Sequence, residues 1–499
     1  MKADENRGAA GDADVTLLSR LGYAQELRRR MGAFSNFAIA MSAICVLAGG
    51  VTSFHLGFCS VGPAAIGLGW PLVALFSLVV AATLGQVASA FPTAGGLYHW
   101  ASILGGRGWG WLTAWFNLAG LVTVLAAVNV GTTAFALGTL GPQLGYHPER
   151  VDPRSALLVQ GTLVGLITAS QALLNHLSIR LTTALTDLGG SLIVVVALGL
   201  TLAMLAYAPA LEPQRLVRVV NYSGTAGGSV WPASANLGWL FVLGWVLPAY
   251  TITGFDASAH AAEETVGAAR NVPRGMVRAV AVSGVAGWVM LAAVVLAVPD
   301  LDVAAARGEY AFAWIMGAVL PGRLALALNV GIVVAQYVCG LAALTSASRM
   351  AFAFARDGGL PGSRAWRWVC PRRRTPVIAV WGVAALVVLF TLSTRVYATI
   401  SVVCTIFLYL SYMLPTALGA WAHGRSWTKM GPWNLGRWYR PLACVNVVGC
   451  GLLIAIGMQP PYDRAATIVA GALAALAAGW FLCERRRFPG PPPVRDEAV

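Results

Sequence analysis

Apolar residues along this chain fall into blocks of about twenty, divided by polar connections, and a block of that length crosses a bilayer as a helix. The blocks lie near residues 34–58, 70–91, 109–139, 156–175, 187–208, 237–258, 276–298, 311–348, 376–393, 396–421, 440–459 and 465–483, with 324–348 the most lipid-like part of the eighth. The pattern predicts an all-α polytopic membrane protein with twelve transmembrane helices. The first block follows a charged leader, residues 1–33, and is too long for a signal-peptide core, so it reads as the first helix rather than a cleaved export sequence.

Two blocks carry weak points near mid-depth. The first span holds Leu47-Ala48-Gly49-Gly50-Val51-Thr52, where paired glycines ease the opening of a helix, although small residues also serve close helix packing. The sixth holds Thr253-Gly254-Phe255-Asp256, roughly 205 residues later, as expected if spans 1 to 5 and 6 to 10 are two copies of one unit in opposite orientation. The resulting fold is a five-plus-five inverted repeat with discontinuous helices 1 and 6. Its divisions are a leader (1–33), a first repeat (34–208), an outer loop (209–236), a second repeat (237–422), helices 11 and 12 with their preceding loop (423–483), and a tail (484–499).

An opened helix frees amides, which favour a carboxylate, and carbonyls, which favour an ammonium group. Amino acids and related amines match both. The expected substrate-binding residues are therefore Ala48, Gly49, Gly50 and Val51 on helix 1 with Thr253, Gly254, Phe255 and Asp256 on helix 6. Phe255 can close over the solute. A carboxylate at the depth of Asp256 is costly unless a cavity, a partner or a helix break receives it. It can hold a cationic amine, carry a proton, or cap the half-helix that follows, and its place just after Thr253-Gly254-Phe255 favours capping.

Composition agrees with a bilayer: 58% of residues are apolar, 11% are charged and the mean hydropathy is +0.70. The net charge of +14 calls for no nucleic-acid partner. With the N-terminus inside, only Arg150, Arg154, Arg215, Arg218, Arg307, Arg323, Arg395 and Arg464 of the 34 Lys and Arg residues face outward. That asymmetry predicts cytoplasmic termini in a cell (inner) membrane, with basic residues against anionic lipid. Eight scattered cysteines without CxxC spacing read as apolar fillers, with no metal, cofactor or disulfide expected. His55, His99 and His260 lie near helix ends, where local hydrogen bonding is commoner than proton transfer.

Outside the spans, Leu17, Leu18, Leu21 and Leu27 with neighbouring arginines predict a short amphipathic segment on the cytoplasmic leaflet. Gly224, Gly227, Gly228 and Pro232 suggest irregular backbone over the entrance, and the Arg- and Pro-rich tail after Glu484 is expected to lack structure. FPTAGGLYHW (91–100) has the proline and double glycine of a tight turn. Glu263 and Glu264 can pair with basic groups when the inner side is closed, as gating or packing residues.

Three segments, ASAFPTAGGLYHW (88–100), TITGFDASAHAAEETVGAARNVPRG (251–275) and SASRMAFAFARDGGLPGS (346–363), resemble the signatures of the amino acid/choline transporter branch of the amino acid-polyamine-organocation permeases. The resemblance runs from about Asp14 to Trp480. It implies the inverted-repeat fold, helices 11 and 12 outside the repeat, and uptake or exchange of amino acids, 4-aminobutyrate, choline, ethanolamine or polyamines. It also implies that Ala48-Gly49-Gly50 receives one end of the substrate while Thr253 to Asp256 supply the facing backbone and the gate. Helix 5, residues 188–206, lacks the lysine that mimics a bound cation in some proton-coupled relatives. Thr345, Ser346 and Ser348 of helix 8 are a candidate ion site, though such hydroxyls commonly bond to the carbonyl behind them. Proton symport, exchange and uniport stay open, with sodium ranked below the proton.

The expected function is secondary active transport of amino acids or related amines by alternating access; a choline, ethanolamine or polyamine carrier or exchanger is the alternative. A channel needs a continuous polar lining, which isolated residues such as Asn117, Asn129, Asn329 and Gln336 do not make. A non-transporting subunit would more plausibly carry a large soluble domain, and an enzyme would need an assembled nucleophile and base.

Overall fold

The computed structural model describes residues 13–146, 151–224, 230–393 and 397–493, and every regular element among them is helical. The start of the leader, Arg150, Gly227, Gly228, Arg395 and the end of the tail lie outside these residues. Among those described, ten helices are long and apolar enough to cross a membrane, from Ala33–Thr52 to Arg464–Arg487. Two shorter apolar helices, Leu237–Thr251 and Val377–Leu392, fall in the sixth and ninth predicted blocks.

The centre of the bundle is built from few elements. The first span divides into α1 (Ala33–Ile44), α2 (Val46–Thr52) and α3 (Phe54–Val61). After α4 (Trp70–Ala90) the chain turns through 91–96 into α5 (Leu97–Gly105) and α6 (Arg107–Thr139), followed by α7 (Pro153–Leu177) and α8 (Ile179–Tyr207). The sixth span is α9 (Leu237–Leu243), α10 (Val246–Thr251) and, past a break, α11 (Ala257–His260). Then come α12 (Ala268–Ala297), α13 (Gly322–Arg356), α14 (Val377–Ser393), α15 (Tyr397–Ala422), α16 (Tyr439–Gly457) and α17 (Asp463–Gly479). Central α6 packs along α13 and α15, and α12 packs along α1, α4 and α8. Most of α6 is enclosed by protein, whereas the last span is almost wholly exposed, so it lies at the periphery.

Two sequence expectations change at the N-terminal face. The leader does not turn its apolar face outward as an amphipathic segment on the leaflet would, because Leu18, Leu21 and Leu27 are buried in the main apolar core, with Leu17 half-buried. Their apolar face finds protein, and Asp14 anchors it by accepting the Gly267 and Ala268 amides at 2.6 and 3.1 Å, at the start of α12. The tail also packs as far as it is described. Phe488 is buried against the rings of Tyr98 and Phe354, and Arg107 donates to its carbonyl at 3.2 Å.

Candidate functional site

Helices 1 and 6 are both interrupted, and the interruptions meet. The first falls at Cys45, which is left-handed at φ 30° and ψ 86°, not at Gly49-Gly50, which are helical within α2. The expected opening at the glycine pair is therefore displaced by a turn. Gly49 instead permits close packing: a Cβ there would stand 2.7 Å from Thr251 Oγ1 and 2.8 Å from Thr251 Cα. Gly50 looks toward Leu291, Met290 and Trp70, with its nearest neighbour at 3.6 Å.

In helix 6 the chain leaves helical geometry after Thr251 and resumes at Ala257, with Gly254 at φ +84°. A Cβ on Gly254 would lie 3.4 Å from Ala43 Cβ and 3.5 Å from its carbonyl oxygen. Helix 8 receives carbonyls of helix 1 around the break, because Cys339 Sγ donates to Ala43 O at 3.3 Å and Gln336 Nε2 to Leu47 O at 3.0 Å. This is the satisfaction that irregular backbone at membrane depth requires.

Asp256 is fully buried at the end of the second break but does not cap α11: its side chain accepts no backbone amide. Its geometry there is already helical, φ −65° and ψ −11°, whereas a capping residue normally stands in extended backbone. Side chains hold the carboxylate instead. Tyr412 donates to Oδ1 at 2.8 Å, Asn117 Nδ2 donates to Oδ2 at 3.0 Å, and His260 Nε2 lies 3.2 Å from Oδ2. The Tyr412 oxygen in turn accepts the Gly254 amide at 3.1 Å, tying the open backbone to α15. Phe255, expected as a lid, lies against the Tyr412 ring at a centroid distance of 4.9 Å.

The three signature segments converge at the N-terminal face. Glu263 accepts two bonds from Arg356, at 3.0 and 3.1 Å, and the Ala94 amide at 3.1 Å. Glu264 accepts from Arg349 at 3.2 Å, and its carbonyl receives the Arg30 and Met31 amides, both at 2.8 Å. Arg29 donates to the Ala262 and Thr265 carbonyls. Next to them Tyr23 and Tyr98 each donate to Asp357 Oδ2 at 2.7 Å, and the Arg356 guanidinium lies 3.9 Å from the Tyr23 ring centroid. Burial raises the Asp357 carboxyl above its ordinary value, with Arg356 opposing. Burial likewise raises Glu264 against the pull of Arg349, and pushes the His99 imidazole down to about 3. Leader, helix 6, helix 8 and the turn at 91–96 are thus tied into one hydrogen-bonded and ion-paired cluster, the latch.

On the opposite side a cavity of about 310 Å³ enters the bundle. Val51, Thr52, His55, Phe135 and Tyr397 line it, and the exposed Glu309 and Tyr310 stand at its rim. Of the eight expected substrate residues only Val51 borders this space. Tyr397 crosses to helix 1, with its hydroxyl 2.5 Å from Thr52 Oγ1 and 3.1 Å from Ser53 Oγ.

The helix 8 hydroxyls turn to their own helix and to α7. Thr345 donates toward Leu341 O and Asn175 Oδ1, Ser346 to Ala342 O, and Ser348 to Thr345 O. Arg349 donates to Ser348 Oγ and Asn175 Oδ1 at 3.1 and 3.3 Å, so a fixed cation already occupies their surroundings.

Two interrupted helices meeting inside an all-helical bundle, latched on one side and hollowed on the other, define a multi-pass carrier rather than a pore. A family model described as amino acid permease matches residues 31–481. The chain is 31% identical to an amino-acid permease BAT1 homolog of Oryza sativa subsp. japonica, over 98% of this chain and 97% of the relative. It is also 31% identical to amino-acid permease BAT1 of Arabidopsis thaliana, over 96% of each. Identity is 26% with the GABA-specific permease of Saccharomyces cerevisiae, over 90% of this chain and 79% of the relative. The chain belongs to the amino acid permease family and is a secondary transporter, not a member of an enzyme family.

Proposed function

We propose that this permease moves amino acids or related small amines across the cell membrane by alternating access. Twelve helices, ten of them in two inverted five-helix repeats, carry the movement, and both termini face the cytoplasm. The arginine asymmetry along the sequence supports that orientation. In this reading the latch is the closed cytoplasmic gate and the cavity ending at Val51, Thr52 and Tyr397 is the outer approach.

The contact of Ala43 with Gly254 carries the proposal, because it brings the peptide groups of both breaks to one place. Ammonium and carboxylate groups both find partners among peptide groups released from helices, which fits a zwitterion better than a sugar or a dicarboxylate. Ala48 and Val51 on helix 1 and Thr253 and Gly254 on helix 6 border the solute. Gly49 sets the distance between the helices, and Phe255 and Asp256 act through Tyr412. The amino-acid and GABA permeases among the relatives point to the same substrate class.

Uptake of a radiolabelled panel into proteoliposomes tests this. Amino acids or 4-aminobutyrate should enter saturably and compete with one another. Preference for choline, ethanolamine or a polyamine would move the protein to the cationic-amine alternative, and preference for a sugar or dicarboxylate would overturn the reading.

A further inference from the structure

The buried pair Asp256–His260 poses a question of proton placement. His260 Nδ1 lies 3.2 Å from the Ala94 carbonyl oxygen and Nε2 lies 3.2 Å from Asp256 Oδ2. A carbonyl oxygen only accepts, so the Ala94 contact needs a proton on Nδ1. A neutral ring carrying that proton has a lone pair at Nε2, and an ionised Asp256 would oppose it with another. Moving the proton to Nε2 mends that contact but sets a bare Nδ1 against the Ala94 oxygen. Both contacts hold together only with one more proton, as imidazolium and carboxylate or as neutral imidazole and carboxylic acid.

We infer that Asp256 and His260 form a proton-binding site that is loaded when the latch is closed and unloads when it opens, coupling transport to proton movement. The inference rests on the carrier reading above.

Among the described residues, the surroundings do not supply a substitute charge. From α6, Asn117 donates to Asp256 and also reaches Ser411 at 3.3 Å; from α15, Tyr412 donates to Asp256. From α1, Asn36 is engaged with Ser258 and Thr265. Of the charged groups on the neighbouring segments, Glu263 pairs with Arg356 and Glu264 with Arg349. In the turn at 91–96 and the start of α5, Thr93 faces His99 Nδ1 at 2.8 Å. Among the described residues the buried Asn117 Oδ1 atom has no partner, which leaves an acceptor beside the carboxylate for a water or a substrate ammonium.

The connection to gating is the Ala94 peptide. Its oxygen faces His260 and its amide donates to Glu263, so one peptide unit joins the proton site to the Glu263–Arg356 pair. Losing the extra proton costs one of the two His260 contacts. Loss of the Ala94 contact removes one of the two bonds by which the Ala94 peptide holds the turn at 91–96 in the latch, and opening of the latch in turn exposes the pair to water, where the proton can leave. No lysine in helix 5 is needed.

The test uses full-length protein in proteoliposomes with the membrane potential clamped at zero and pyranine inside. For a substrate moved with one proton, an inside-alkaline gradient of one pH unit should drive about tenfold accumulation, with internal acidification. His260→Gln should keep substrate counterflow exchange, which shows that it folds, and lose both effects. Wild-type uptake without accumulation or acidification, or a His260→Gln variant that keeps both, would overturn the proton site while leaving the carrier reading standing. Failure of the wild type on the whole panel would overturn the carrier reading. Nitrogen NMR of histidine-labelled protein judges the pair independently: the resonances lost in His260→Gln should belong to an imidazolium or to an Nδ1–H tautomer. A neutral Nε2–H ring would contradict the inference.

Discussion

Gly254 of helix 6 lies directly against Ala43 of helix 1, with a built Cβ 3.4 Å from the alanine methyl carbon and 3.5 Å from its carbonyl oxygen. The fit would admit a methyl group; the backbone would not readily do so, because Gly254 has φ +84°. A side chain in left-handed geometry costs about 1–2 kcal/mol. Gly254→Ala should therefore express and remain monodisperse while its initial uptake rate falls several-fold. An alanine variant with full rate would show that the break tolerates rearrangement.

Gly49 and Gly50 should separate in their response to one methyl group. At Gly49 it would meet Thr251 at 2.7 to 2.9 Å, partly backbone, whereas at Gly50 the nearest atom is 3.6 Å away. Overpacking of this kind typically costs about 1–3 kcal/mol. Thermal unfolding in detergent should show a clear drop for Gly49→Ala and little change for Gly50→Ala. Equal behaviour would remove the packing role assigned to Gly49.

Arg356→Ala leaves the buried Glu263 carboxylate, among the described residues, with the Ala94 amide as its hydrogen-bond donor and Arg29 as the neighbouring cation. Removing one partner of a buried pair costs about 3–5 kcal/mol, and opening the latch relieves that cost by hydrating the carboxylate. Cys45, buried at the helix 1 break, should then be alkylated faster by a membrane-permeant maleimide, read by peptide mass spectrometry. The double variant Glu263→Gln, Arg356→Met should return toward the slow rate. Unchanged Cys45 reactivity in Arg356→Ala would mean that the pair does not hold the face shut.

Acidity should tighten the latch. Burial raises the Asp357 and Glu264 carboxyls in the closed form, whereas in a hydrated open form they approach ordinary values near 4. The closed form then binds protons more tightly, so its advantage is complete below the ordinary values and is lost as pH rises through the raised ones. Cys45 alkylation should speed up across that window in the wild type and change less in an Asp357→Asn, Glu264→Gln variant. Alkylation that slows with rising pH would contradict this assignment.

Much of the architecture could be read from the chain because apolar blocks of bilayer length leave few alternatives to helices. The break at Gly254 was legible because a glycine adjoined a buried carboxylate. The break at Cys45 was not, since a cysteine at φ 30° carries no compositional mark and the adjacent Gly49-Gly50 drew the expectation toward itself. Asp256 stood out by its charge, but its partners Asn117 and Tyr412 lie 139 and 156 residues away, and only folding brings them together. Spacing alone could have suggested His260, one helical turn beyond Asp256. Tyr23, Arg349, Arg356 and Asp357 escaped notice for a similar reason. Charged and aromatic residues near membrane ends ordinarily meet lipid headgroups, and here tertiary packing turns them on one another.

The most direct measurement is an experimental structure of the permease in a lipid nanodisc with a saturating transported amino acid. Substrate density should lie between the breaks at Cys45 and Gly254, in contact with freed peptide groups of both helices. Continuous helices through residues 43–46 and 252–255, or substrate bound away from both, would contradict it.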